Sequence, residues 1–369
     1  MSADYPQDNL PTKEQQLLLQ SSLEERKIAL NAWQTWRGKV DIEDLNSESY
    51  HLLPLLYNNL SRYQVEDAEM VRLKGVYRRN WYNNQIFIKE ITTILNSLAA
   101  AVNLETVLLK DGALVNYYQN IGLRPINHLD IFVAPQNAFA AIDVLKKLGW
   151  QAKADLTKEF IALYPKIGLW NQEGQLLHLN WQIWSNSLVE NPSLPTVTIN
   201  INDLSTRILT PTQQLLYICQ QIALAYPNLQ PCWLADGKLI IEQHREAINW
   251  NLLLEDAQKY KLTIPLKNLL TFIETVFPKT IPPTQLKEIQ SLPVSWFDST
   301  EYRLVNSNPL PLIGSLTKRY LQYLRLAKRN QSESGILGFP KYLQRVWGLN
   351  SLWQLPYHTV VRGAKKIIS

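Results

Sequence analysis

The stretch of sequence that decides the fold runs over Val107–Trp150 and reads VLLKDGALVNYYQNIGLRPINHLDIFVAPQNAFAAIDVLKKLGW. A short apolar strand ends at Lys110–Gly112, a helical segment follows, and a second apolar strand carries His128–Asp130. A further helix begins near Asn137 and stops at Gly149, because glycine readily adopts the conformation that ends many helices. Strands that alternate with helices over so short a span predict a sheet covered by helices.

The sequence on either side of this stretch is mainly helical in pattern. Apolar residues recur at helical spacing, and we predict helices within 1–36, 42–62, 66–100, 211–226, 232–246, 248–260, 263–277, 311–330 and 350–368, with a loop between the last two. Strands are predicted only in the middle, at Thr106–Leu109, Leu129–Ala134, Phe160–Tyr164 and Leu176–Trp184, with a connection and an edge strand within 185–209. The prediction is an α+β protein with a small mixed-sheet domain at 103–205. An N-terminal helical region at 1–102 and a C-terminal helical region at 206–369 flank it.

Composition indicates a globular protein. The 369 residues are 46% hydrophobic and 19% charged, which is the ordinary balance for such proteins. No apolar run is long enough to span a membrane, and the polar N-terminus is unlike a signal peptide. The two cysteines are too few for a disulfide framework or a zinc quartet, so we expect a cytoplasmic protein.

Positive charge is concentrated at the C-terminal end of the sequence. Residues 301–369 hold 11 Lys and Arg against 2 acids, whereas the other 300 residues hold 26 against 30. Two interpretations stay open: these basic helices contact an acidic partner, or they present a solvated helical face.

Polar side chains occur at strand ends with a spacing that suggests a binding site. Alternate residues of a strand share a face, so His128 and Asp130 form one pair and His178 and Asn180 another. Lys110 lies where a strand meets a helix, and helix amides bind phosphate. It either binds an anion there or is a solvated lysine.

Residues from about 85 to 290 resemble the bacterial uncharacterised nucleotidyltransferase family, which has a polymerase β-like fold. The resemblance is carried by several short motifs in order: Leu108–Lys110, Gly122–Pro125, Leu129–Val133, Leu148–Trp150, His178–Trp181, Trp233–Asp236 and Asn249–Trp250. It implies transfer of a nucleotidyl group from a nucleoside triphosphate (NTP) to an acceptor hydroxyl or protein side chain. The implied cofactors are the NTP and a divalent metal, magnesium or manganese and possibly zinc.

The resemblance also assigns roles to individual residues. On its matching positions, Asp130, His128 and His178 are the catalytic and metal-binding candidates. Lys110, Gly112 and Arg124 are the candidates for binding the nucleotide. Arg124 holds either a triphosphate or a carboxylate, with Asp130 as one possible partner. From their positions in the later helices, and not from the resemblance, we expect Asp236 and Trp250 to serve packing and capping.

The sequence departs from the family pattern at the residues that would hold metal. The family reads Lys-Gly, Arg-Pro, Asp-x-Asp and Asp-x-His-Trp, whereas here Asp111 follows Lys110 and the two acidic motifs read His128-x-Asp130 and His178-x-Asn180-Trp181. Of three expected carboxylates, one remains. Two imidazoles and one carboxylate suit zinc, manganese or iron better than magnesium.

Two hypotheses therefore stand. The first is a nucleotidyltransferase with an altered metal site. The second is a pseudoenzyme, a catalytically inactive binding or scaffold protein that keeps the nucleotidyltransferase fold and acts on a protein or peptide partner.

Overall fold

The structure, a computed structural model, describes residues 11–102, 104–184, 194–201, 204–225, 230–296, 298–299, 302, 316–317, 319–321, 323–324, 338–347, 349 and 351–359. Its elements confirm an α+β protein in which one mixed sheet lies between helical segments at both ends of the chain. None of the helices in these ranges is long and apolar enough to cross a membrane.

Within residues 11–102, five helices precede the sheet: α1 (Lys13–Leu23), α2 (Arg26–Arg37), α3 (Ser47–Tyr50), α4 (Leu53–Arg62) and α5 (Glu69–Val102). Thr12 and Gln15 form a capping box that starts α1. The single helix predicted within 1–36 is two helices, because the chain is extended at Glu24 and Glu25. Pro54 lies in the first turn of α4, a position that needs no amide proton, so the helix begins there.

The described part of the chain contributes seven strands to the sheet: β1 (Thr106–Leu109), β2 (Leu129–Val133), β3 (Gln151–Ala152), β4 (Lys166–Trp170), β5 (Leu176–Asn180), β6 (Thr196–Ile201) and β7 (Leu204–Leu209). Their spatial order is β3-β4-β5-β2-β1-β7-β6. The β1–β7 and β2–β5 pairs are parallel and the other four neighbouring pairs are antiparallel. The three strands that carry the candidate residues, β1, β2 and β5, are therefore neighbours at the centre of the sheet.

Helices complete the fold: α6 (Lys110–Leu114), α7 (Ala138–Lys147), α8 (Lys158–Leu163), α9 (Pro211–Ala225), α10 (Pro231–Gln243), α11 (Trp250–Lys259), α12 (Thr263–Val276), α13 (Pro283–Ser291) and α14 (Gly338–Val346). The predicted stop of α7 is confirmed, since Gly149 has a φ of 90°. The C-terminal helices α9–α12 pack on one another, and α10 and α12 also contact α1. One core runs through the N-terminal helices, the sheet and this C-terminal bundle.

Three sequence predictions about elements were wrong. The strand predicted at Phe160–Tyr164 is helix α8, which Thr157 caps, and the true strand β4 follows it. The loop predicted around Gly338 and Pro340 contains α14. The region 185–209 contributes two strands, β6 and β7, although residues 185–193 lie outside the described residues.

The predicted three-part division of the chain stays a prediction. β7 extends the sheet past residue 205. Most of the helices predicted at 311–330 and 350–368 fall outside the described residues.

Candidate functional site

Strand register brings Lys110, His128, Asp130 and His178 together at one end of the three central strands. Asp130 pairs with Leu109 of β1 on one side and with His178 of β5 on the other. His128 lies immediately before β2 and two residues from Asp130, so both side chains occupy the same face. Lys110 follows directly after β1. We call Lys110, His128, Asp130, His178 and Asn180 the site cluster.

The two oxygens of the Asp130 carboxylate have different partners. Oδ1 lies 3.3 Å from Lys110 Nζ and 3.4 Å from Asn180 Nδ2. Oδ2 lies 3.3 Å from His128 Nε2 and 3.4 Å from His178 Nδ1. One oxygen is thus bound by an ammonium and an amide, and the other faces two imidazoles.

His128 Nε2 lies close to both a donor and an acceptor. This nitrogen lies 3.5 Å from Lys110 Nζ as well as 3.3 Å from Asp130 Oδ2. A neutral ring nitrogen either donates or accepts, so it cannot accept from the ammonium and donate to the carboxylate at once. As an acceptor it binds either the Lys110 ammonium or, in its place, a metal ion.

The donor set fits one metal ion. The ligand atoms of His128, Asp130 and His178 all lie within 4.8 Å of one another. Ligands at about 2.1 Å from a tetrahedral ion are separated by about 3.4 Å, close to the two distances measured around Oδ2. The set does not fit two magnesium ions, which need several hard oxygen ligands, because Asp130 supplies the one carboxylate of the group.

Ionisation at neutral pH follows from burial and neighbouring charge. Burial raises the pKa of Asp130, but the hydrogen bond from His178 and the charge of Lys110 outweigh it and lower the pKa to about 2. Burial lowers the pKa of His128, and Asp130 and Asp111 oppose that only in part. His128 is therefore neutral, and the His178 hydrogen bond together with the charge of Lys110 keeps Asp130 ionised.

The backbone at Lys110 is strained. Its φ of 48° lies in the left-handed region that residues with a Cβ rarely adopt. This conformation costs about 1–3 kcal/mol and persists where the surrounding structure enforces it, commonly at functional sites. Here it turns the chain sharply from β1 into α6 and places the Lys110 ammonium over Asp130.

Lys166 lies at the same end of the sheet, and sequence reasoning missed it. It lies opposite Asn180 in the β4–β5 pair, and Asn180 contacts Asp130. Burial, followed by the charge of Lys110, lowers the pKa of Lys166 to about 8, while Asp130 raises it. Two lysines therefore stand beside one carboxylate, but a correct prediction of β4 would have been needed to find the second.

Arg124 belongs to a second, sealed cluster. Its Nε and Nη2 donate to both oxygens of Asp236, and Nη2 lies 3.0 Å from Asp111 Oδ1. The Tyr118 hydroxyl donates to Asp236 Oδ1 at 2.7 Å. Burial lowers the pKa of Arg124, but Asp236 and Asp111 raise it well above its usual range. The partner of Arg124 is thus Asp236 and not Asp130, and we call Arg124, Asp111, Asp236 and Tyr118 the Arg124 cluster.

The remaining predicted residue, Gly112, is buried inside α6. A Cβ at this position would meet the Leu108 side chain at 3.0–3.3 Å. Its small size therefore allows the short helix to pack on β1. Asp111 links the two clusters, since its Oδ2 accepts from the Asn127 amide and lies 4.0 Å from His128 Nδ1.

His51 was also missed by the sequence reasoning. Burial and the charge of Arg124 lower its pKa, and Asp111 opposes them. This histidine therefore lies beside the Arg124 cluster, although nothing in its local sequence connects it with that cluster.

Comparison with known proteins places this geometry in context. The model of a family described as uncharacterised nucleotidyltransferase matches residues 47–278, more than half of the chain. The solution structure of the antibiotic-resistance factor ANT(2'')-Ia is 12% identical, with a TM-score of 0.36 over 52% of this chain and 97% of that one. The crystal structure of an antigenic nucleotidyltransferase-like protein from Paracoccidioides brasiliensis is 14% identical, with a TM-score of 0.37 over 54% and 92%. A comparison with curated proteins found no match.

Proposed function

The chain belongs to the uncharacterised nucleotidyltransferase family, and from that premise we propose that it binds an NTP at the site cluster and transfers its nucleotidyl group. The acceptor is a hydroxyl or a protein side chain. The observation that supports the proposal is that Lys110, His128, Asp130 and His178 lie together at one end of the three central strands.

One divalent ion would be held by Asp130 Oδ2, His128 Nε2 and His178 Nδ1. Their nitrogen and oxygen atoms favour manganese or zinc over magnesium. Bound there, such an ion supplies neutralisation of phosphoryl charge and orientation of the reacting oxygen. Lys110 could keep its contact with Asp130 Oδ1, but it would have to turn away from His128 Nε2, which it also contacts.

The two lysines bind the triphosphate in this proposal. The positive charges of Lys110 and Lys166 together outweigh the single negative charge of Asp130, so this end of the sheet attracts an anion. An acceptor oxygen attacks the α-phosphorus, the bond from that phosphorus to the bridging oxygen breaks, pyrophosphate leaves, and the acceptor proton passes to water. The lysines offset the negative charge that the phosphates and the leaving pyrophosphate carry.

Arg124 is a positioning residue in this proposal. Its side chain is 3% exposed and occupied by Asp236 and Asp111, so it is not aimed at a ligand. It holds Asp111 at the turn between β1 and α6, and Asp111 in turn faces His128 Nδ1.

The second candidate function is nucleotide binding without transfer. The observation that favours it is the Lys110–Asp130 ion pair, because a carboxylate already paired with an ammonium attracts a metal ion less strongly. In that case the protein would act as a binding or scaffold protein for a protein or peptide partner.

Calorimetry with ATP, CTP, GTP and UTP, each with magnesium, manganese or zinc, tests binding. We expect binding by the wild type that Asp130→Asn abolishes, with His358→Gln, which lies outside the site cluster, as the unaffected control. An NTP labelled at the α-phosphorus then separates the two candidates: pyrophosphate release with label on an acceptor supports transfer, and binding without release supports the second candidate. Absence of nucleotide binding under every condition overturns both.

The metal is tested separately by elemental analysis of the purified protein and by titration with manganese and zinc. We expect one bound ion per chain, lost in His128→Gln and in His178→Gln. An unchanged affinity in both variants would remove the histidines from the metal site.

A further inference from the structure

We propose that the solvent-facing side of α5 binds single-stranded nucleic acid, whose terminal hydroxyl is the acceptor for the site cluster. The α5 face consists of Lys74, Arg78, Arg79, Trp81, Tyr82 and Lys89. Identification of the strand as the acceptor rests on the proposed function, whereas binding of the strand does not.

The charge of this helix segment is uniformly positive. Residues 70–89 contain five cations and no acid. Arg72 pairs with Glu43, but the four cations of the α5 face make no ion pair with any other described residue. All four are exposed. A row of unneutralised cations at a surface attracts a polyanion.

Two aromatic rings lie among these cations. Trp81 is 44% exposed and Tyr82 is 62% exposed, so both offer ring surface to solvent. Arg78 is one helical turn from Tyr82 and adjacent in space. Nucleic acid strands bind where cations neutralise phosphates and neighbouring aromatic rings stack on bases, and the α5 face supplies both.

The α5 face adjoins the segment that leads into the site cluster. A Cβ on Gly122 would lie 3.0 Å from Trp81 Cβ, and Asn80 donates to the Gly122 carbonyl at 2.7 Å. Asn84 on the buried side of α5 donates to the Arg124 carbonyl and accepts from the Ile126 amide. The same segment continues directly to His128. A strand lying on the α5 face would thus be next to the segment that leads to His128.

The aromatic rings distinguish nucleic acid from other polyanions. An acidic peptide is attracted by the four cations alone and gains little from two flat rings in contact with solvent. Every nucleotide base has a flat face, so stacking on Trp81 or Tyr82 adds affinity that an acidic peptide lacks. A helix that lies on a membrane buries its apolar face in lipid, whereas the apolar side of α5, with Leu73, Ile88 and Ile91, packs into the protein core.

Fluorescence anisotropy with a labelled single-stranded RNA about 12 nucleotides long tests the proposal, since such strands match the site sizes of known single-strand binders. We compare the wild type with Arg78→Gln/Arg79→Gln and with Tyr82→Ala. The matched control for charge is Lys146→Gln/Lys147→Gln, which removes two exposed lysines from α7. The control for the ring is Tyr82→Phe, which keeps the aromatic surface.

We expect the double arginine variant to weaken RNA binding about tenfold and to lower the dependence on salt. Tyr82→Ala should weaken it by roughly fivefold or more, with Tyr82→Phe close to wild type. The lysine control should bind as the wild type does. NTP binding should be unchanged in all four variants, because none of these residues belongs to the site cluster.

Two results would overturn the proposal. One is equal RNA affinity in the wild type and both α5 variants. The other combines two observations: the arginine variant weakens RNA binding while Tyr82→Ala does not, and polyglutamate competes as strongly as unlabelled RNA. That combination would identify a site for acidic protein. If the wild type binds RNA but no NTP, that result would instead overturn the proposed function alone.

Discussion

The site cluster and the Arg124 cluster contain the same kinds of charged side chain but differ in how far those side chains are exposed. In the Arg124 cluster the Arg124 and Asp236 side chains are 3% and 0% exposed, and both Asp236 oxygens accept from the guanidinium. In the site cluster Asp130 is buried, yet the His128 side chain is 28% exposed and the Lys110 side chain 17%. Charged groups that are buried and hydrogen-bonded to one another hold the structure, whereas partly exposed groups are accessible to a ligand.

The largest expected effect is on the Arg124 cluster. Asp236→Asn leaves Arg124 buried without its main counter-charge, and we expect it to lower the free energy of unfolding by about 3–5 kcal/mol in urea denaturation. The matched control is Asp256→Asn, because Asp256 is also buried but accepts a hydrogen bond from the neutral Gln213. We expect a loss of about 1 kcal/mol there. Equal losses in the two variants would contradict the structural role of the Arg124 cluster.

The second prediction concerns pH and the site cluster. The pKa of Asp130 falls from 3.8 to about 2 on folding, so its ionised form favours the folded state. This contribution, about 2 kcal/mol, is complete above pH 3.8 and is lost as pH falls toward 2. The test is urea unfolding of the wild type and of Asp130→Asn from pH 6 to pH 2, with metal removed by a chelator. The difference in free energy of unfolding between the two proteins should shrink as the pH falls from 3.8 toward 2. A difference independent of pH would show that Asp130 titrates normally.

Lys166→Met separates binding from stability. Burial disfavours the charged lysine, so an apolar side chain of similar length should keep the free energy of unfolding or raise it by about 1 kcal/mol. Nucleotide affinity should fall about tenfold, because a charge-assisted contact to phosphate is lost. Calorimetry and urea denaturation measure the two effects, with the exposed Lys158→Met as control. A variant that loses stability and keeps its affinity would place Lys166 among the structural residues.

The smallest effect should come from Tyr118→Phe. It removes one hydrogen bond to Asp236 while both contacts from Arg124 remain, so we expect a loss of about 1 kcal/mol in the free energy of unfolding. Nucleotide affinity should be unchanged in the same calorimetric assay. A fall in affinity would mean that the two clusters are coupled.

Prediction from sequence succeeded where local pattern controls structure. β1 and β2 are short apolar runs with clear boundaries, and α5 and α7 have sustained helical periodicity, so all four were found close to their true positions. The segment Phe160–Tyr164 is apolar enough for either element, and Thr157 capping together with packing makes it helical. At the start of α9, Gln213 lies three residues after Thr210, the spacing of a capping box, but its side chain donates to Asp256 because this buried acceptor is within reach.

The sequence by itself determined the α+β class, the family, and the set of polar residues placed at the ends of β1, β2 and β5. These depend on periodicity and on spacing within a few residues, which any strand or helix obeys. Only the tertiary structure decided which charge meets which partner. Arg124 and Asp236 are 112 residues apart, and Lys166 joins the site cluster only through the register of β4 on β5. Such pairings follow from the packing of whole elements, which no local pattern encodes.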